Sequence, residues 1–60
     1  MNITRISKDK YKVTCLEYEF NIYKPAYSQY WTITNSKLHI HRLCDDLSEA
    51  LDFIDFIMCI

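Results

Sequence analysis

Through Arg42 the apolar positions of this chain recur mainly at every second residue; beyond Asp45 they recur every three to four. The first period is that of a strand with one buried face, the second that of an amphipathic helix. Ile3 to Ile6 predicts a short strand, followed by a polar turn at Lys8-Asp9-Lys10. From Tyr11 to Tyr23 a run rich in Val, Thr, Tyr, Phe and Ile predicts one long strand. Within it Leu16, Tyr18, Phe20 and Ile22 alternate with Glu17, Glu19, Asn21 and Tyr23, giving an inner and an outer face. Val13 and Cys15 fall on the opposite parity, so a bulge or bend near Cys15-Leu16 is required to join the two halves. Lys24 to Gln29 reads as a loop, because Pro25 lacks a ladder donor and biases Lys24 to an extended shape. Tyr30–Thr34 and Leu38–Arg42 predict two further strands joined at Asn35-Ser36-Lys37. Trp31 and Ile33 face one way in the first, and Leu38 and Ile40 alternate with His39 and His41 in the second.

The helix has the clearest signature. Asp45 or Asp46 caps it, and with Asp46 as the cap Glu49 takes the third helical position, as in a capping box. Carboxylates there also favour the positive end of the helix dipole. Leu47, Ala50, Leu51, Ile54, Ile57 and Met58 fall on one arc at helical spacing, and that arc is expected to cover a sheet. The expected fold is therefore a single α+β domain over residues 1–60. It has a three- to four-stranded antiparallel sheet within 2–42, packed by one C-terminal helix at about 46–58.

A helical wheel at about 100° per residue isolates a second strip. With Leu47 at 0°, the core arc runs from about 280° at Ile57 to about 40° at Leu51. Phe56 then lies near 180°, Ile60 near 220° and Phe53 near 240°, among Glu49, Asp52 and Asp55. One helix over one sheet does not need two phenylalanines on its far side. Apolar anchors framed by charge are the anatomy of an interface. The alternative for Phe53 is a tilt of the last turns that tucks its ring against the sheet edge.

Charge reinforces that reading. Residues 1–42 hold seven bases and three acids, net +4, whereas 43–60 hold five acids and no base, net −5. The overall −1 thus conceals a dipolar molecule whose tail suits a basic partner or imitates a phosphate backbone. Size sharpens the point, since 60 residues bury only about 60% of their unfolded surface and a partner adds stability by mass action. The chain contains no glycine, so its turns are built from Asn, Asp, Ser and Lys. Three cysteines, Cys15, Cys44 and Cys59, with no C-x-x-C spacing, read as reduced thiols of a cytoplasmic protein. Met1-Asn2-Ile3-Thr4 runs straight into polar sequence rather than a secretory leader, and no apolar run approaches the roughly 18 residues of a membrane span.

Other chemistry is thin. His39-x-His41-x-x-Cys44-Asp45 is the only stretch with metal-ligand character, since two histidines two apart on a strand share a face. A second close pair is missing, and two histidines on the wet face of a hairpin strand are more often just solvated. Cys44 with His39 or His41 also suggests a nucleophile and base, but the two aspartates after it disfavour a thiolate. No glycine-rich loop offers an oxyanion hole or a nucleotide cradle, so neither an enzyme nor a cofactor is expected. Arg5, Lys8, Lys10 and Lys12 gather around the first hairpin, near tyrosines able to stack on bases. The acidic helix opposes direct nucleic-acid binding, and lysines at a sheet edge also serve to deter aggregation.

Two resemblances bear on function. Tyr30-Trp31-Thr32-Ile33, followed by Cys44-Asp45-Asp46-Leu47-Ser48-Glu49-Ala50-Leu51, resembles the strand-then-helix end of HicB-like antitoxin domains. That likeness implies a toxin as partner. As a whole the chain is similar in type to small stand-alone phage and mobile-element proteins, anti-CRISPR proteins among them. It is very short, rich in Ile, Lys, Asn and Tyr, without a catalytic set and with an acidic face. That likeness implies an inhibitor acting in a host cytoplasm on a nuclease complex. The resulting expectation is a non-enzymatic binding protein that occludes a basic surface, possessing no membrane segment. Asp45, Asp46, Glu49, Asp52 and Asp55 steer it, Phe53, Phe56 and Ile60 form the anchor, and a homodimer through the same strip is the competing use.

Overall fold

A computed structural model describes residues 1–58. Five antiparallel strands follow one another in space as they do in sequence: β1 (Asn2–Ser7), β2 (Lys10–Cys15), β3 (Tyr18–Tyr23), β4 (Trp31–Asn35) and β5 (Ile40–Cys44). One helix, α1 (Leu47–Met58), closes the chain. The α+β class and the C-terminal helix are as the periodicity predicts. The sheet has one strand more than the three or four expected.

The extra strand comes from the predicted long strand, which is a hairpin. Cys15 pairs with Tyr18, so the chain reverses through Leu16-Glu17 alone. The parity conflict between Val13/Cys15 and Tyr18/Phe20/Ile22 has this cause: a two-residue turn lets both sets face the same side. Leu16 therefore does not point inward. It occupies the first turn position at φ 57° and is 81% exposed. Two-residue hairpins require such positive φ because it matches the twist of the flanking strands.

The second hairpin also differs in detail. β4 ends at Asn35, and four residues, Ser36–His39, turn the chain before Ile40. Leu38 and His39 thus lie in the turn, His39 at φ 55°, an angle histidine tolerates better than most residues. Asn35 organises this turn. Its Oδ1 accepts from the Leu38 amide at 2.8 Å and its Nδ2 donates to the Glu19 carbonyl at 3.0 Å. A buried side-chain amide so satisfied ties the turn to β3 at no desolvation penalty.

Cross-strand pairing sets the core face. Tyr11 opposes Ile22, Ile22 opposes Ile33 and Ile33 opposes Arg42, while Arg5 opposes Tyr11 at the other end of the row. Val13, Phe20, Ile22, Ile33 and Cys44 are buried beneath Ala50 and Ile54 of the helix. Each large apolar side chain sealed there contributes roughly 1.5–3 kcal/mol. Leu47, Leu51, Ile57 and Met58 pack half-buried around them, as the predicted arc requires. Helix α1 lies mainly over β4 and β5. Among the described residues nothing covers strand β1, and all six of its residues are exposed.

Candidate partner-binding site

The helix start is built as the sequence implies. Asp46 is the cap: its Oδ1 accepts from the Glu49 amide at 2.8 Å, and its carbonyl accepts from the Ala50 amide at 3.2 Å. Glu49 reaches back, its Oε2 accepting from the Asp45 amide at 3.0 Å, one residue earlier than in a standard capping box. These bonds fix the carboxylates of Asp46 and Glu49 beside the end of β5.

From that anchor α1 runs over β4 and β5. An open groove of about 430 Å³ lies here, lined by Arg42, Glu49, Asp52, Phe53 and Phe56. Four of those five residues belong to the predicted interface strip. Phe56 is 78% exposed. Phe53 takes the alternative position, tucked toward the sheet, rather than the far-side one the wheel gives. It is half-buried and packed on the core periphery. The physical reason is Arg42, whose guanidinium carbon stands 4.5 Å from the centre of the Phe53 ring. A cation over an aromatic face is worth about 0.5–1 kcal/mol at an exposed site, and it holds the ring at the sheet edge. From sequence alone Arg42 figures only as a charge at the end of a predicted strand. Yet it shares the parity of Ile40 and Cys44, and a base on the inner face of an edge strand is a recognisable signal.

Asp45, Asp52 and Asp55 are exposed. Among the described residues, the one ion pair joins Lys12 to Glu19 at 3.4 Å across the open face of the sheet. Exposed on both sides, it is worth about 0–1 kcal/mol. Ile60, the remaining member of the predicted strip, lies outside the described residues, as does Cys59.

Cys44 is sealed at the root of this site. Burial, reinforced by the Glu49 carboxylate, pushes its thiol pKa up, against the opposing hydrogen bond and charge of Arg42. The group is thus held protonated, the opposite of what a nucleophile needs. The histidines do not join it. His39 sits in the β4–β5 turn, whereas His41 opposes Thr34 on the outer face, and Cys44 faces the core. Among the described residues no three His, Cys, Asp or Glu side chains cluster as metal ligands. Of the basic set, Arg5 lies on exposed β1 and donates through Nε to the Ser7 carbonyl at 3.3 Å. Lys8 lies in the first turn, Lys10 and Lys12 on β2, and Lys12 is occupied by Glu19.

No helix of the described residues is long and apolar enough to cross a membrane. Comparison with protein-family models, curated proteins and solved structures finds no match.

Proposed function

We propose that this protein is a non-enzymatic inhibitor that occludes a basic surface of a nucleic-acid-binding complex, in the manner of a phage anti-CRISPR protein. The observation that carries the reading is the groove beside β5, where exposed Phe56 and half-buried Phe53 stand within a rim formed by Glu49, Asp52 and Arg42. Phe56 supplies the desolvated anchor, and the carboxylates of Asp45, Asp46, Glu49, Asp52 and Asp55 steer the approach of lysine- and arginine-rich protein. A surface evolved to hold nucleic acid presents that chemistry. The protein works in the cytoplasm, where such complexes load their targets.

The test is a mobility-shift competition with a panel of purified CRISPR effector complexes and their labelled target DNA. The chain is expected to lower DNA binding by at least one complex, with an effect that weakens as salt rises from 50 to 300 mM, roughly in keeping with screening. The double variant Phe56→Ala/Asp52→Lys should lose inhibition while its far-UV circular dichroism stays unchanged. Equal inhibition by that variant, or no inhibition across the panel, refutes the proposal. Inhibition confined to a small toxin in a growth-arrest rescue would support the HicB-like alternative.

A further inference from the structure

Both ends of the sheet are free edges, but they are not equally guarded. Along β1 the register slips between Arg5 and Ser7, and the Arg5 guanidinium folds over to cap the Ser7 carbonyl. A bulge and a charged side chain laid over the edge both discourage another strand from pairing. Along β5 the five pairs with β4 run without a shift, from Asn35 and Ile40 to Trp31 and Cys44. Ile40-His41-Arg42-Leu43-Cys44 contains neither lysine nor proline. Its one strong charge, Arg42, is drawn inward onto Phe53 instead of standing guard over the edge. Among the described residues no strand pairs with the outer side of β5.

That unguarded edge is also the margin of the groove. A strand added there lies about 4.8 Å from β5, and its inward side chains fall beside Arg42, against Phe53, Phe56, Glu49 and Asp52. Its outward side chains fall beside Leu43, which is 58% exposed on the other face. From this geometry we infer that the partner is bound by strand addition: an extended basic segment pairs with the backbone of β5. Its Lys or Arg side chains reach Glu49 and Asp52, and its aliphatic ones cover Leu43. Main-chain bonds supply affinity and the alternating side chains supply selectivity. Five residues of β5 span about 16 Å, so a segment of five to seven residues is sufficient.

Charge decides against a second copy. Pairing β5 with itself brings together two helices that each carry Glu49, Asp52 and Asp55 with only Arg42 to offset them. Like charges so opposed are destabilising, whereas a basic segment is complementary.

This inference rests on the proposed site but adds a mode of binding that fails separately. The probe is the peptide acetyl-Val-Arg-Val-Arg-Val-Arg-Val-amide, with a control in which the central Arg is kept and a neighbouring Val is replaced by Pro. Amide hydrogen exchange of the intact chain is followed by nuclear magnetic resonance. Alternate amides of Ile40–Cys44 should slow at least tenfold with the Val peptide, and the Pro peptide should bind at least tenfold more weakly. Asp52→Lys should weaken both. If both peptides bind equally and no β5 amide gains protection, strand addition is wrong while the acidic docking face survives. Protection that falls on β1 overturns it as well. If neither peptide binds, or Asp52→Lys changes nothing, the inference and the site both fall. Concentration-dependent dimerisation that protects β5 without peptide would overturn the choice of a foreign partner.

Discussion

Truncating two side chains two residues apart on one helix should have very unequal consequences. Ile54 is completely buried and Phe56 is 78% exposed. Sealing a Phe wholly from water contributes roughly 1.5–3 kcal/mol, so the fifth of Phe56 that is covered is worth about 0.3–0.7 kcal/mol. Alanine's better helix propensity returns a few tenths of that. Phe56→Ala is therefore expected to change stability by less than about 0.7 kcal/mol. Ile54→Ala removes three carbons from the contact between helix and sheet, at about 2–5 kcal/mol including the cavity. A domain of this length has in all only about 3–9 kcal/mol, at 0.05–0.15 kcal/mol per residue. Urea titration with Trp31 fluorescence, Trp31 being half-buried beneath α1 and 6.0 Å from the Tyr11 ring, reads both losses. The expected result is a native-like midpoint for Phe56→Ala and a largely unfolded population for Ile54→Ala. A loss above about 1.5 kcal/mol in Phe56→Ala would mean that this ring serves its own domain, and the docking surface would lose its anchor.

Two further outcomes follow from particular backbone and thiol positions. A bulky L-residue at positive φ carries about 1–2 kcal/mol of strain. Leu16→Asn keeps the turn, relieves that strain and sacrifices a side chain already in water, so it should raise stability by about 0.5–1 kcal/mol in the same titration. A loss instead would show that Leu16 is held by contacts. The raised pKa of Cys44 means the folded state holds its proton more tightly than the unfolded chain, whose thiol titrates at about 8.5. Its contribution is then fully present below about pH 8 and is lost as pH climbs past the unfolded value. Urea midpoints at pH 7 and 9.5 should converge more closely in Cys44→Ala than in the parent; an identical alkaline loss in both refutes the assignment.

Much of this architecture was legible because period and parity are local properties. Ala50 and Ile54 follow from helical spacing alone, and the Asp46 cap from a carboxylate placed three residues before Glu49. The hairpin at Leu16-Glu17 was legible only as a contradiction. Two-residue turns usually announce themselves with Asn or Gly, and a chain without glycine placed Leu at positive φ instead. Tertiary pairing overrode the local preference because Cys15 and Tyr18 must both reach the core face. The exposed Phe56 was readable from the wheel. The tucked position of Phe53 was readable only as the alternative to the wheel, because choosing it depends on Arg42 crossing from another element. A wheel describes one helix in isolation and says nothing of what stands beside it.

That crossing explains why one base sits among so many acids. Remove Arg42 and the Phe53 ring loses the cation that covers its face, while Glu49 and Asp52, one turn apart on α1, lose the base that lines the groove with them. Keep it, and the groove has an aromatic wall whose ring engages the one positive charge, beside the exposed carboxylate of Asp52. The basic half of the molecule shows no such concentration: Lys12 is paired with Glu19, Arg5 folds onto Ser7, and Lys8, Lys10, Lys24 and Lys37 are spread over β2 and the connections. A field focused at one edge and diffuse at the other orients an approaching basic protein before contact. On the proposed reading, β5 therefore stands on the side toward which the molecule's own charge would draw a basic partner.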